Sequence, residues 1–137
     1  MPQPLEAEAA LLRLAMLVAR ADGVETAIEK ASASAALKKR LARVPRPDVE
    51  RIVGEALADV NTKPQGDVLA RVRAGLGDRA GAVEGLHVAC QVAIADRKLA
   101  WQESRQVLEF ADALGLSRSD VTQVLHTYWP PRPPRKP

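Results

Sequence analysis

Four acidic residues stand at matching positions in two related stretches of this sequence. Residues 12–29 read LRLAMLVARADGVETAIE, and residues 86–103 read LHVACQVAIADRKLAWQE. Asp22 and Glu29 in the first stretch correspond to Asp96 and Glu103 in the second. Carboxylate oxygens are the ligands that hard cations such as Ca²⁺, Mg²⁺ and Mn²⁺ prefer. The repeated acids therefore predict two similar half-sites that together form a divalent-cation site.

The elements around these acids are expected to bring each pair together. In both stretches an apolar helical run ends in Ala-Asp, and a Glu follows seven residues after the Asp. The short loop between them reverses the chain, so an Asp at the end of one helix and a Glu in the first turn of the next converge. The site requires both loops at one end of the bundle, as pseudo-two-fold, antiparallel packing of the two apolar helices would allow, and the sequence does not decide whether they meet.

A metal-free alternative explains part of the same pattern. Thr26 and Glu29 have the spacing of a capping box, in which Glu29 binds the backbone at Thr26 instead of a cation. The second stretch has Ala100 in place of Thr26 and cannot form this cap. Basic residues at 97–98, however, stand directly beside Asp96 and are able to neutralise it. The acids belong either to a cation site or to helix caps and salt bridges.

The composition indicates one helical domain. The 137 residues suffice for a buried core without disulfides, and Cys90 is the single cysteine, as suits a reducing cytoplasm. Hydrophobic residues make up 47% and aromatic residues 3%, so the core must consist mainly of Ala, Leu and Val. The formal net charge of +3, without a clustered basic face, gives little support to a nucleic-acid partner, and we expect none.

The chain ends give no sign of export. The segment MPQPLEAEAA lacks the basic region of a secretory signal, and no apolar run approaches the roughly 20 residues that cross a bilayer. We therefore expect a cytoplasmic protein without membrane insertion. The sequence PPRPPRKP favours an exposed polyproline-type segment. We expect one helical domain at residues 1–128 and a Pro/Arg-rich disordered tail at residues 129–137.

Apolar residues recur with helical periodicity, and no segment alternates with period two, so the pattern predicts an all-α fold. The Gly-rich stretch 75–85 predicts the division between two halves of a duplicated bundle, with the fifth and most apolar helix at its centre. The seven predicted helices are Leu5–Asp22, Thr26–Val44, Pro47–Val60, Asp67–Gly77, Ala80–Asp96, Trp101–Leu114 and Ser117–Tyr128, the last opened by a capping-box-like pair of Ser117 and Asp120.

The segments LVARADGVETAIE and VAIADRKLAWQESRQVLEFADALGLS resemble the TerB-like family of tellurite-resistance proteins, and also the N-terminal domain of the co-chaperone DjlA. The family signature is an apolar helix ending in Ala-Asp-Gly, a short loop, and a Glu that opens a helix closed by Ala-Leu-Gly-Leu. The resemblance implies an all-helical, internally duplicated domain with a metal site formed by the loop acids, here Asp22, Glu29, Asp96 and Glu103.

Two positions depart from that signature. Arg97 replaces the usual Gly in the second copy, which weakens the second half-site. Glu25 replaces the usual apolar residue of the first copy, where the second copy has Leu99. We add Glu25 to the predicted metal ligands.

Other residues give weaker signals of chemistry. His87 and Cys90 lie three positions apart, but two ligands do not make a zinc site, and we expect a buried Cys beside a His at a helix interface. The basic run at 38–46 fits a solvated helix face better than an anion-binding patch. No nucleophile with a paired base and no phosphate-binding loop is recognisable.

The repeated acids predict a divalent cation (Ca²⁺, Mg²⁺ or Mn²⁺), and the resemblance to the TerB-like family implies a non-enzymatic module of the stress response that acts through partner proteins. Two alternatives stay open. One is a metal-free structural interaction domain whose acids are helix caps and salt bridges. The other is a hydrolase in which the bound cation activates water.

Overall fold

The fold consists of eight helices in the residues that the structure describes. The structure is a computed structural model. It describes residues 5–19, 23–95 and 101–128, without the side chains of Val24, residues 101–104 and Gln106. These ranges contain no strand, and the predicted all-α class is confirmed. The helices are α1 (Glu6–Ala19), α2 (Gly23–Ser32), α3 (Ala35–Leu41), α4 (Arg46–Thr62), α5 (Gln65–Leu76), α6 (Arg79–Ala95), α7 (Trp101–Ala113) and α8 (Arg118–Tyr128).

The eighth helix arises because the predicted helix Thr26–Val44 is two helices, α2 and α3, which separate at Ser34. The Ser34 hydroxyl accepts a hydrogen bond from the N–H of Leu37 (3.2 Å) and caps α3. The same hydroxyl donates to Gln91 Oε1 in α6 (2.6 Å), which also accepts from the N–H of Ala36 (3.2 Å). A residue far away in the sequence therefore holds the break.

The other predicted helices agree with the structure to within two residues at each described end. For the first helix only the start can be compared, because residues 20–22, where it was predicted to end, lie outside the described ranges. α2 begins at Gly23, three residues before the predicted start at Thr26. The local pattern of apolar residues thus locates most helices, and it fails mainly where a side chain from another helix intervenes.

α1 lies at the centre of the bundle. Its residues 10–19 are all buried, and it packs against α2, α3, α4, α5 and α6. A helix that is covered on all sides has no polar face, and Arg13 is the single charged residue in this stretch. The predicted centre, α6, is a second hub, since it contacts α1, α3, α5, α7 and α8. None of the helices in the described ranges has both the length and the apolar content to cross a lipid bilayer.

The core has the composition expected from the sequence, and it forms two clusters. The larger cluster consists mainly of Ala, Leu and Val side chains from α1 to α6, together with fully buried Phe110 of α7. The smaller cluster attaches α7 and α8 to α6 and contains Leu86, Cys90, Val107, Ala111 and Val124.

The Gly-rich stretch 75–85, which was predicted to divide two halves, packs α5 tightly onto α6. Only Gly77 and Asp78 separate the two helices. Gly77 caps α5 in a left-handed conformation (φ +81°), and Asp78 Oδ1 caps α6 by accepting from the N–H of Gly81 (2.9 Å). A Cβ atom on Gly81 would lie 2.1 Å from the Leu76 carbonyl oxygen. The glycines therefore permit a tight turn and do not form a linker.

The N-terminal halves of α1 and α6 lie side by side. Arg40 of α3 binds both Glu8, near the start of α1, and Glu84, in the second turn of α6. A Cβ atom on Gly85 of α6 would lie 3.3 Å from Leu14 Cδ2 of α1. The start of α1 also lies beside the end of α5, where a Cβ atom on Gly75 would lie 3.1 Å from the Glu6 carbonyl oxygen, and α6 begins four residues later at Arg79. Because the start of α6 lies near Glu6 and Gly85 lies farther along near Leu14, the two helices run in the same general direction and are not antiparallel.

Candidate functional site

The structure describes part of the predicted cation site. Asp22 and Asp96 lie outside the described residues. Glu103 belongs to α7, but its side chain is outside the described part as well. Glu25 and Glu29 are exposed residues of α2. Two of the five predicted ligands can therefore be placed, and both belong to the first copy of the repeat.

Glu25 and Glu29 share one face of α2, because residues four apart in a helix are neighbours on its surface. Neither carboxylate makes a hydrogen bond or an ion pair with another described residue. Like charges at this spacing destabilise a helix by about 0.2–0.5 kcal/mol. Within the described side chains, no group of three or more His, Cys, Asp and Glu is arranged for a metal ion. The described half of the site is thus a pair of unpaired acids on one face.

The capping-box interpretation of Glu29 is not compatible with the start of α2. A capping box needs Ser or Thr at the residue before the helix and Glu three residues later. α2 begins at Gly23, so Thr26 is its fourth residue. Gly23 has a left-handed φ of +81°, as expected for a glycine that follows the first helix. Glu29 therefore does not act as the capping partner of Thr26.

Arg40 connects three helices through two glutamates. Its Nε and Nη2 donate to Glu84 Oε2 (2.5 Å) and Oε1 (2.6 Å), and its Nη1 donates to Glu8 Oε1 (3.2 Å). The hydrogen bonding with Glu84 raises the pKa of Arg40 above its ordinary value. Lys38 and Lys39 are exposed, as predicted for a solvated face, whereas Arg40 holds α3 against α1 and α6.

Arg13 of α1 is buried and forms an ion pair with Asp59 of α4. Arg13 Nε and Nη2 each lie 2.9 Å from Asp59 Oδ2. Lys63 and Arg71 also contact Asp59, each at 3.1 Å. Burial alone would raise the pKa of Asp59, but hydrogen bonds from Lys63 and Arg13 outweigh it and hold the pKa below the ordinary value. One carboxylate therefore compensates a buried guanidinium and also attracts two more exposed cations.

The predicted capping box at the start of α8 is half formed. Ser117 Oγ accepts a hydrogen bond from the N–H of Asp120 (3.2 Å), as predicted. The Asp120 carboxylate binds Arg79 of α6 instead of the backbone, with Nε donating to Oδ2 at 2.9 Å and Nη2 donating to Oδ1. The hydrogen bond from Arg79 lowers the pKa of Asp120 to about 2. This pair joins the first turns of α6 and α8.

A chain of hydrogen bonds connects α8, α6 and the α2–α3 junction. Tyr128 Oη lies 2.8 Å from His87 Nδ1 and accepts from Gln91 Nε2 at 2.8 Å. Gln91 in turn accepts from Ser34. Cys90 is buried, and burial raises the pKa of its thiol to about 12. The predicted arrangement, a buried Cys beside a His at a helix interface, is confirmed.

Comparison with known families identifies the relationship that the two acidic segments suggested. The family model described as tellurite resistance protein TerB matches residues 8–126, from α1 into α8. This chain belongs to the TerB family. The TerB match covers α2 to α7 and most of α1 and α8, and it places the chain among tellurite-resistance-type modules. No curated protein and no solved structure matches it.

Three structural features of this TerB-family chain escaped prediction. The Arg13–Asp59 pair had a signal in the sequence, because a lone charge inside an apolar helical run needs a buried partner. The helix break had a weaker signal in Ser34, a residue type that favours N-caps. The partners of Arg40 had no signal in the sequence, since a solvated arginine and a paired arginine cannot be told apart there.

Proposed function

We propose that this TerB-family chain is a tellurite-resistance-type module that binds a divalent cation and acts through partner proteins, without catalysis. Its ligands are Asp22, Glu29, Asp96 and Glu103, with Glu25 as a further ligand. The observation that carries the proposal is the pair of exposed carboxylates of Glu25 and Glu29 on one face of α2, neither of which has a partner among the described residues. A cation bound there relieves the repulsion between them.

The direction of α1 and α6 supports a site shared by both copies of the repeat. Arg40 joins Glu8 of α1 to Glu84 of α6. From each glutamate its helix continues for eleven residues, to Ala19 and to Ala95, which corresponds to about 16 Å. Two helices that run in the same direction and extend equally far beyond the bridged glutamates deliver the residues that follow them to one end of the bundle. We expect Asp22 and Asp96 to meet there.

Calorimetric titration of the full chain with CaCl₂, MgCl₂ and MnCl₂ tests the cation site. We expect one cation per chain for at least one of these metals, and a melting temperature that rises with the cation and falls again with a chelator. Loss of one carboxylate ligand in Glu29→Gln is expected to weaken binding about tenfold or more, which is about 1.4 kcal/mol.

Glu50→Gln is the matched control, because Glu50 is an exposed glutamate of α4 and the substitution makes the same change in charge. We expect it to leave cation affinity unchanged. The cation proposal fails if none of the three metals gives heat or thermal stabilisation. It also fails if Glu29→Gln and Glu50→Gln weaken binding equally, since general electrostatic attraction explains that result.

Complementation tests the biological part of the proposal. We expect deletion of the gene to lower tellurite tolerance in the source organism, and the wild-type and Glu50→Gln chains to restore it. Glu29→Gln is expected not to restore it. Partner proteins that co-purify with the wild-type chain in the presence of the cation, and are lost with Glu29→Gln, are the expected route of action. Full complementation by Glu29→Gln would show that tellurite tolerance does not require cation binding at this site, and it would contradict this part of the proposal.

A further inference from the structure

A groove between α7 and α8 presents an apolar surface to solvent. It has a volume of about 560 Å³, which is within the usual range for a binding pocket. Leu108 at its edge is 41% exposed, more than any other large hydrophobic side chain that the structure describes. The lining is more apolar than polar, which suits a segment that carries apolar side chains. The groove is lined by Leu108, Asp112, Leu116, Arg118, Val121 and Leu125, together with Thr122.

The chain itself supplies a segment suited to this groove. α8 ends at Tyr128, and residues 129–137, WPPRPPRKP, follow directly, outside the described part. This tail contains Trp129 and five prolines. Pro-rich segments lose little conformational entropy on binding, and here the rings of the tail would pack against an aliphatic lining.

The tail is long enough to reach the groove. Val121 and Leu125 belong to α8, whose 11 residues extend about 16 Å. Nine residues in a polyproline conformation extend about 28 Å. A tail that turns back after Tyr128 therefore runs past both groove residues and beyond the start of α8.

The tail is basic, whereas the groove and its edge carry two acids of α7 and one cation, Arg118. The tail has three basic residues and no acid, and these account for the whole formal net charge of +3, so residues 1–128 are neutral. Beside the groove, Glu109 and Asp112 of α7 are exposed, and neither has an ion-pair partner among the described side chains. Tail cations placed next to these acids gain attraction without displacing an existing pair.

We propose that residues 129–137 fold back and bind the α7–α8 groove of the same molecule. Trp129 and the prolines pack against Leu108 and its apolar neighbours, and the basic residues of the tail lie beside Glu109 and Asp112. Any protein that uses this groove must then displace the tail.

Nuclear magnetic resonance of the full chain tests the placement of the tail. We expect nuclear Overhauser effects between the Trp129 indole and the methyl groups of Leu108, Val121 and Leu125. In Trp129→Ala, these methyl resonances are expected to shift because the ring current is lost, while methyl resonances of the main core stay in place. This variant changes only the tail, so it tests the contact without a risk to the fold.

A substitution in the groove provides the reciprocal test. Leu108→Asp places a charge at an exposed position and is expected to move the Trp129 indole resonances to those of a synthetic peptide of residues 129–137. Ala58→Asp is the matched control, since it adds the same charge at an exposed position of α4 outside the groove, and should leave Trp129 unchanged.

The arrangement within one molecule is distinguished from exchange between molecules by mixing isotope-labelled and unlabelled chains. Contacts detected only within a labelled chain support the proposal. Contacts detected only between chains overturn it in favour of a second copy as the donor of the tail. Trp129 resonances that already match the free peptide in the wild-type chain, or that ignore Leu108→Asp, also overturn it.

Discussion

Removal of the Asp59 carboxylate leaves Arg13 buried without its counter-ion. The side chain of Arg13 is 6% exposed and that of Asp59 is 14% exposed, so the pair is shielded from water on both sides. Loss of one partner of a buried pair costs about 3–5 kcal/mol. Asp59→Ala also leaves Lys63 and Arg71 beside Arg13 with no acid between them. We expect a loss of about 3 kcal/mol in the free energy of unfolding, or about 10 °C in melting temperature.

Urea denaturation of a double-mutant cycle measures this cost. Arg71→Gln is the control, because Arg71 contacts the same Asp59 oxygen but is 59% exposed, and an exposed ion pair contributes no more than about 1 kcal/mol. The double variant Arg13→Met with Asp59→Leu is expected to recover most of the stability, since apolar side chains of similar volume can replace a buried pair. The reasoning is refuted if Asp59→Ala costs no more than Arg71→Gln, or if the double variant is as unstable as Asp59→Ala.

Three further predictions concern single residues. The pKa of Asp120 is about 2 in the folded chain, so its ion pair stabilises the fold above the unfolded pKa of about 3.9. That contribution is lost as the pH falls toward 2, and the urea midpoint of Asp120→Asn should vary less than that of the wild type between about pH 5 and 2. Gly115→Ala should cost about 1–2 kcal/mol, because Gly115 has φ +77° and a Cβ atom would lie 2.7 Å from Arg73 Nη2; Gly66→Ala, with open space and no positive φ, should be neutral in the same melting assay. Phe110→Ala should cost about 3–5 kcal/mol by urea denaturation, because the ring is fully buried and leaves a cavity, and a cost below about 1 kcal/mol would contradict its place in the core.

The candidate site could be predicted only in part. Glu29 was expected in the second helix and lies there, whereas Glu25 was expected in the loop before Thr26. The start of α2 at Gly23 puts both on one helix face, because four residues make about one helical turn. The three-residue spacing of Thr26 and Glu29 suggested a capping box, which the earlier start of α2 at Gly23 removes. Asp22 and Asp96 lie outside the described residues, so their convergence stays a prediction.

The sequence alone determined the all-α class, the positions of most helices, the composition of the core and the family. These properties depend on hydrogen bonds and apolar spacing within a few residues, which a sequence records directly. The tertiary structure alone decided the break at Ser34, the partners of Arg13 and Arg40, and the common direction of α1 and α6. Each depends on residues more than 30 positions apart, and their meeting is set by how whole helices pack, which local spacing does not record.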